Sequence, residues 1–289
     1  FGVARCQECG CGYLSPRPAL HDMTRYYPSD FYWSWEGAGE ALSWTDIVAR
    51  RRKQLEAKAK WLEGLTPGSL LDVGAQKGEF IWFMQQRGWQ VQGVELDNGV
   101  PNPANLPIEY GDFLEMDFAP ASFDVVTFWA VLEHVYQPKD FIQKAARLLK
   151  PGGRLVALVT NFNSIQARVY RADDYPRHLT FFTPASARRV CGDAGLRVTR
   201  LTTDQTIFGG ALSGGLVYAL KRLGGYTIDE AFAEWKQDRD PELFWTQWRG
   251  RSSGLVRNAS RLDRVLSWPL ERVLDGLGRG FIMTFSATK

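Results

Sequence analysis

The stretch DVGAQKGEF, residues 72–80, decides how the rest of the chain is read. It follows the apolar run Ser69-Leu70-Leu71 and leads into a helical pattern, so it joins a buried strand to a helix. Gly74 and Gly78 allow the backbone to approach a ligand without the obstruction of a Cβ. A dinucleotide loop of the form G-x-G-x-x-G needs further glycines where this chain has Gln76 and Glu79. The middle glycine of that form admits a pyrophosphate, so a bulky Gln76 argues for a ligand without one.

Outward from this loop, strands and helices alternate. Leu70 to Gly74 reads as the first strand, and Glu79 to Arg87 as a helix stopped by Gly88. WQVQGVEL (89–96) is a second strand, IEYGD (108–112) a third, and FDVVTFWAVL (123–132) a long buried fourth. PKDFIQKAARLLK (138–150) is an amphipathic helix opened by Pro138 and closed by Pro151-Gly152-Gly153, and RLVALVT (154–160) is a fifth strand. TPASARRVCGDAGL follows as a helix capped by Thr183 and stopped at Gly195, then RVTRLTT (197–203) as a strand. The alternation stops there and returns only in GFIMTFSAT (280–288). Strands separated by crossover helices predict an α/β fold, a doubly wound sheet of seven strands. The last strand is expected to be antiparallel and to form an edge with 197–203.

The expected organisation is an irregular N-terminal lobe (1–45), a nucleoside-binding core (46–205), a helical insert or cap (206–279) and the last core strand (280–289). A helix from about Trp44 to Glu63 opens the core. The insert carries Phe232, Trp235, Phe244, Trp245 and Trp248, read as the buried aromatic face of a lid. Around Pro269, Val265, Leu266, Leu270, Val273, Leu274 and Leu277 keep helical spacing and are expected to pack on the core.

Composition narrows the partners. Hydrophobic residues make up 45% of the 289 and the formal charge is only +3, so a nucleic-acid footprint would have to be a local patch. The basic run Arg50 to Lys53, followed by Glu56, Lys58 and Lys60, reads as a solvated helix face. No nucleic-acid partner is expected. The four cysteines, three of them within Cys6, Cys9 and Cys11, do not form a secreted disulfide pattern, which points to a reducing, cytoplasmic setting. The most apolar stretch, IFGGALSGGLVYAL (207–220), is too short and glycine-rich to span a membrane. The chain starts at Phe1 without a leader, and its natural N-terminus is expected to lie upstream. Nothing here sets the oligomeric state.

Ligands of an open parallel sheet sit beyond the carboxyl ends of the strands. Glu95 ends the second strand, where an acid accepts hydrogen bonds from both hydroxyls of a ribose. A nucleoside without a pyrophosphate satisfies both this acid and the loop. S-adenosylmethionine is such a ligand.

Taken as a set, LLDVGAQKGEF, VQGVELD, YGDFLEMDFAPASFDVVTFWAVLEHVYQP and LLKPGGRLVALVTN resemble the motif series of class I S-adenosylmethionine-dependent methyltransferases. The resemblance covers roughly residues 66–205 and resumes at 280–288, and implies a Rossmann-like core. The family's first loop usually reads D-x-G-x-G-x-G, from which Gln76 departs. It implies that Asp72, Gly74, Ala75, Gln76 and Gly78 form the loop against the methionine part of the cofactor, with Glu95 on the ribose. Asp112 would bond the adenine amino group and Phe113 would give the ring an amide. Leu96 and Phe113 would sandwich the adenine, and Trp129 and Ala130 would lie beside the sulfonium methyl.

Two further segments resemble a bacterial subgroup of that family. RCQECGCGYLSPRP with YYPSDFYW is similar to an N-terminal zinc ribbon built from two Cys-x-x-Cys pairs. Here Cys6 and Cys9 form one pair, Cys11 is a third thiol and no second pair is present, so no metal is expected on this chain. YPRHLTFFTPAS (175–186) is similar to a segment that follows the fifth strand, in which His178 would approach the substrate. Of the three histidines, His21, His134 and His178, the last is the candidate base. His134 is expected to orient the loop after the fourth strand and to stand among the substrate-binding residues. Tyr175 and Arg177, with Glu133 and Tyr170, are further substrate-side candidates. The resemblance implies methyl transfer to a small molecule, a sugar, glycan precursor or secondary metabolite, at oxygen before carbon or nitrogen, leaving S-adenosylhomocysteine. The alternatives are a non-catalytic partner that keeps the fold, and an NAD-dependent oxidoreductase, which the loop disfavours.

Overall fold

The computed structural model describes residues 1–26, 43–96, 99–164, 167, 176–204, 207 and 269–289. Tyr32, Trp33, Trp35, Tyr170, Tyr175 and almost all of the expected insert, including its Trp and Phe residues, lie outside the described residues.

The core is a seven-stranded sheet in the order β5-β4-β3-β6-β7-β10-β9. Strands β3 (Ser69–Val73), β4 (Gln90–Glu95), β5 (Ile108–Tyr110), β6 (Phe123–Trp129) and β7 (Leu149–Thr160) run parallel. The order reverses between β3 and β6, and the crevice of such a sheet opens at that switch point. β10 (Ile282–Thr288) runs antiparallel to both β7 and β9 (Arg197–Thr202). The expected pair forms the antiparallel edge of the sheet, with β9 outermost and β10 beside it. Burial accounts for this: six of the seven β10 residues are buried, whereas β9 keeps Arg197, Thr199 and Arg200 exposed. A strand apolar on both faces is stabilised only where neighbours cover it.

Alternating residues of each strand feed two cores. Leu71, Val73, Val126 and Phe128 pack with Phe141 and Ile142 of α3 (Pro138–Leu148) on one face. Leu70, Val125, Val156 and Leu158 pack with Leu55 of α1 (Trp44–Ala59) and with Phe80 and Ile81 of α2 (Glu79–Gln85) on the other. Full burial of each such side chain is worth about 1.5–3 kcal/mol. Helix α4 (Pro184–Asp193) has the expected Thr183 cap, and Ser186 returns a bond to make a capping box. β7 begins five residues before the expected Arg154, running through Pro151-Gly152-Gly153, with a register shift against β6 between Phe123 and Val125. A proline and two glycines are tolerated in a strand at such an irregularity.

The N-terminal lobe departs from the expected irregularity. β1 (Gly2–Arg5) and β2 (Gly12–Ser15) form an antiparallel hairpin, and β2 also pairs with β8 (Thr180–Phe181). Strands of four residues are too short to show a period in the sequence, although Leu14 faces inward onto Leu179 and Phe181. Residues 269–276 are helical; Leu274 is buried as expected, while Leu270, Val273 and Leu277 are exposed. No helix among the described residues is long and apolar enough to cross a membrane.

Candidate active site

The loop after β3 takes three left-handed steps, at Gly74 (φ 77°), Gln76 (φ 50°) and Gly78 (φ 88°). A Cβ on Gly74 would stand 2.4 Å from Cγ2 of Val131, in the loop after β6, and one on Gly78 would stand 2.4 Å from Cδ1 of Leu106. Glycine is required at both by position as well as by conformation. Gln76 adopts the left-handed backbone that a glycine would take, its side chain exposed and its N–H donating to Oε2 of Glu95 at 2.8 Å. The departure at Gln76 therefore preserves the turn.

Glu95 is 5% exposed at the end of β4, and its Oε1 accepts from the Leu96 amide at 2.8 Å. Its carboxylate is thus held by two amides at the mouth of the switch-point crevice. Asp72, within β3, is buried and accepts from the Thr127 hydroxyl at 2.5 Å. Burial raises its pKa to about 7, opposed by the nearby Lys58 ammonium; burial likewise lowers Lys58 to about 8. Lys58 Nζ also lies 5.1 Å from the Trp129 ring centroid, and Arg51 pairs with the buried Glu79 at 2.9 Å.

This corrects the solvated-face expectation for the basic run. Arg50, Arg52, Lys53 and Lys60 are exposed, whereas Arg51 and Lys58 turn inward. The signal was their spacing: 51 and 58 share the helix stripe of Val48 and Leu55, both buried.

Asp112 is exposed beside the end of β4, where Gly111 N–H donates to the Glu95 carbonyl at 2.9 Å. Leu96 presents an exposed side chain to the same region. The Phe113 ring does not. It is buried among Phe118, Phe128 and Phe141, with centroids 6.3, 6.1 and 5.3 Å away, so it does not face Leu96 as the expected sandwich requires. Trp129 ends β6 packed edge-on against Phe80 at 5.1 Å, and its buried indole N–H has no hydrogen-bond partner among the described residues. Ala130 follows in a left-handed conformation, φ 58°.

Beyond Ala130 lies a second cluster. The N–H groups of Leu179 and Thr180 donate to the Glu133 carbonyl at 2.7 and 3.1 Å, strapping the segment before β8 to the loop after β6. This strap places the His178 and His134 rings edge to face, 4.6 Å apart, and one donor atom from each of Glu133, His134 and His178 lies within 4.8 Å of the others. Arg177 contributes its carbonyl, 3.3 Å from His134 Nδ1. His178 is 7% exposed, and burial, helped by His134 and Arg177, holds its pKa well below the usual imidazole range. The ring is neutral at neutral pH and a weak proton acceptor.

The three N-terminal thiols do not converge in this way; among the described residues the one convergent metal-type group is Glu133, His134 and His178. Cys11 instead points its thiol at the Gly12 and Phe181 carbonyls, 3.4 and 3.5 Å away, and burial raises its pKa to about 11.

The glycine loop and Glu95 fit a nucleoside ligand. A buried carboxylate at the end of β4 matches ribose hydroxyls, and at the end of β6, on the other side of β3, the buried Trp129 indole N–H has no hydrogen-bond partner among the described residues.

Comparison with known proteins places the same segments in one family. A methyltransferase domain family matches residues 44–201. The chain is similar to the ubiquinone biosynthesis O-methyltransferase of an Azoarcus species, 30% identical over 166 residues, covering 49% of this chain and 71% of that protein. It is 38% identical over 111 residues to the Idiomarina loihiensis enzyme of the same name, covering 35% of this chain and 46% of that protein. Among solved structures, an S-adenosylmethionine-dependent methyltransferase from Archaeoglobus fulgidus gives a TM-score of 0.52 at 15% identity, covering 91% of this chain and 100% of that one. Phosphoethanolamine N-methyltransferase 2 of Haemonchus contortus gives 0.52 at 16%, covering 96% and 61%. At these identities the structural likeness is one of fold.

Proposed function

The chain belongs to the class I S-adenosylmethionine-dependent methyltransferases, and from that premise we propose that it methylates an oxygen atom of a small hydroxylated molecule. The observation that carries this reading is the placement of two groups along one rim: the left-handed loop with Glu95 at the switch point, and Glu133, His134 and His178 immediately beyond β6. The name of the relatives, O-methyltransferases of ubiquinone biosynthesis, supports an oxygen acceptor.

In this assignment the Gly74, Ala75, Gln76 and Gly78 backbone lies along the methionine part of the cofactor, with Asp72 behind it. Glu95 accepts from the ribose hydroxyls. Asp112, the Phe113 amide and Leu96 meet the adenine, and Trp129 and Ala130 stand next to the reacting methyl. The bound cofactor supplies an electrophilic methyl on a positively charged sulfur. The chain's contribution is alignment: Gly74 lets Val131 close on the loop, and the strap from Glu133 to Leu179 and Thr180 holds the acceptor side at a fixed distance. The acceptor's proton is lost at the cluster of Glu133, His134, Arg177 and His178, where substrate would sit.

Calorimetric titration with S-adenosylhomocysteine, with NAD as the control, tests the cofactor half. Micromolar binding of the first alone is expected. Glu95→Gln removes a charged acceptor worth about 1.5–3 kcal/mol, so affinity should fall roughly 10- to 100-fold. Binding of NAD instead would overturn the assignment, and cofactor binding without turnover of any hydroxylated acceptor would favour the non-catalytic alternative.

A further inference from the structure

The second cluster holds more than a base requires. His178 carries a buried Nδ1 with no hydrogen-bond partner among the described residues. Its neighbour His134 has its Nδ1 3.3 Å from the Arg177 carbonyl. A carbonyl only accepts, so Nδ1 of His134 is the donor in this contact, and in the neutral ring Nε2 is the nitrogen with the lone pair. A backbone carbonyl fixing one ring nitrogen is the usual way a ligating histidine is oriented towards a metal. Glu133, 1% exposed, adds a carboxylate whose charge favours a cation in this cluster.

The spacing agrees. Metal bonds of about 2.0–2.2 Å from nitrogen and oxygen put donor atoms roughly 3–4 Å apart, so atoms already within 4.8 Å need to close by about 1 Å. The backbones that carry them are tied together by the Leu179 and Thr180 bonds to the Glu133 carbonyl, so little order has to be gained on binding.

We propose that Glu133, His134 and His178 bind one divalent first-row transition-metal ion, through two imidazoles and a carboxylate, with open positions facing the acceptor. Its use in methyl transfer rests on the function proposed above; its existence does not. Three protein ligands leave one position on a tetrahedral ion and two or three on a larger coordination shell. The acceptor class that follows is a hydroxyl with a second oxygen beside it, both reaching the ion. Coordination acidifies the hydroxyl, whose proton passes to water. The oxygen then forms its bond to the methyl carbon as the carbon–sulfur bond breaks, and the thioether leaves with that electron pair. A strong protein base is then unnecessary.

The test uses the full chain carrying Cys6→Ser and Cys9→Ser, to remove the two half-buried N-terminal thiols, stripped with chelator and titrated with Co²⁺ alone. A single equivalent should develop a visible d–d absorption. Glu133→Gln and His178→Gln should each weaken binding by more than the roughly 10- to 100-fold that loss of a mere outer hydrogen-bond partner costs. Each protein is also titrated with S-adenosylhomocysteine. Retained binding there shows that the fold persists, and failure in the parent would sink the methyltransferase reading while leaving the metal result standing. No absorption and no heat with Co²⁺, Zn²⁺ or Mn²⁺, or binding indifferent to both substitutions, overturns the site. Should either variant fail to fold, the imidazole proton signals of the parent decide: sub-stoichiometric Co²⁺ should broaden His134 and His178 and spare the exposed His21. Unchanged His134 and His178 signals overturn the site as surely.

Discussion

Gln76 holds a left-handed backbone, φ 50°, that β-carbon-bearing residues adopt at a cost of about 1–2 kcal/mol. Its N–H bond to Glu95 is a main-chain bond that any residue but proline can make. Gln76→Gly should therefore keep the bond and relieve the conformation. Because glycine also loosens the unfolded chain, the net stabilisation is expected to be about 1 kcal/mol or less, read as a higher urea midpoint with unchanged affinity for S-adenosylhomocysteine. Asp72 and Lys58 make a pH prediction. Asp72 titrates near 7 when folded against 3.8 as its ordinary value, so the native state binds more protons between those values and stability falls as pH rises through them. Lys58 is lowered from 10.5 to about 8, so above pH 8 the unfolded chain binds more protons and stability rises towards 10.5. Their joint contribution is least favourable between pH 7 and 8. Urea midpoints across pH 5–9 should show that dip, and Asp72→Asn should flatten its acid side; an unaltered acid limb would refute the assignment.

Among the elements, the junction of β7, β9 and β10 depends on Asn161. Its buried amide donates to the carbonyls of Gly278 and Gly280 at 3.1 and 2.7 Å, its Oδ1 accepts from Asn163 N–H, and its own N–H donates to the Phe281 carbonyl. These bonds fix the turn that delivers β10 between its neighbours. Gly280 is equally constrained, since a Cβ there would fall 1.6 Å from the Thr203 carbonyl oxygen. Asn161→Ala orphans buried carbonyls and should cost about 1–3 kcal/mol in chemical denaturation, with hydrogen exchange rising first in β10. A cost near zero would show that water replaces the amide without penalty. The sequence pattern displayed β10 as a strand and paired it with β9. Its interior position follows from burial on both faces, which a seven-residue pattern read alone does not distinguish from an edge.

At the scale of the molecule, the N-terminal hairpin buttresses the segment that carries His178, the acceptor side in the proposed function. Leu14 N–H donates to the Leu179 carbonyl next to His178, Arg17 donates to the Tyr136 carbonyl, and the Tyr136 hydroxyl donates to the Pro18 carbonyl at 2.6 Å. The cofactor loop is held by β3, β4 and β6 instead. Leu14→Ala empties a fully buried position at a cost of about 2–5 kcal/mol. The expected result is a split: turnover drops while affinity for S-adenosylhomocysteine changes less than about threefold, roughly 0.65 kcal/mol. Equal loss of both would mean that the hairpin supports the whole fold and not one half of the site.

What the sequence by itself determined is local or periodic: the strand and helix alternation, the glycine loop, the acid closing the second strand, and hence the fold family and its nucleoside cofactor. Each depends on residues within one turn or one strand, where spacing already encodes geometry. Tertiary structure alone decided the rest. It turned Lys58 and Arg51 inward from a run that looks solvated, sent the Phe113 ring into the core, and decided which strand of the edge pair is outermost. It also brought His178 against Glu133 and His134 across more than forty residues of chain. Contacts of that kind arise where separate segments pack against each other, and the identity of a residue does not record which distant neighbour will bury it.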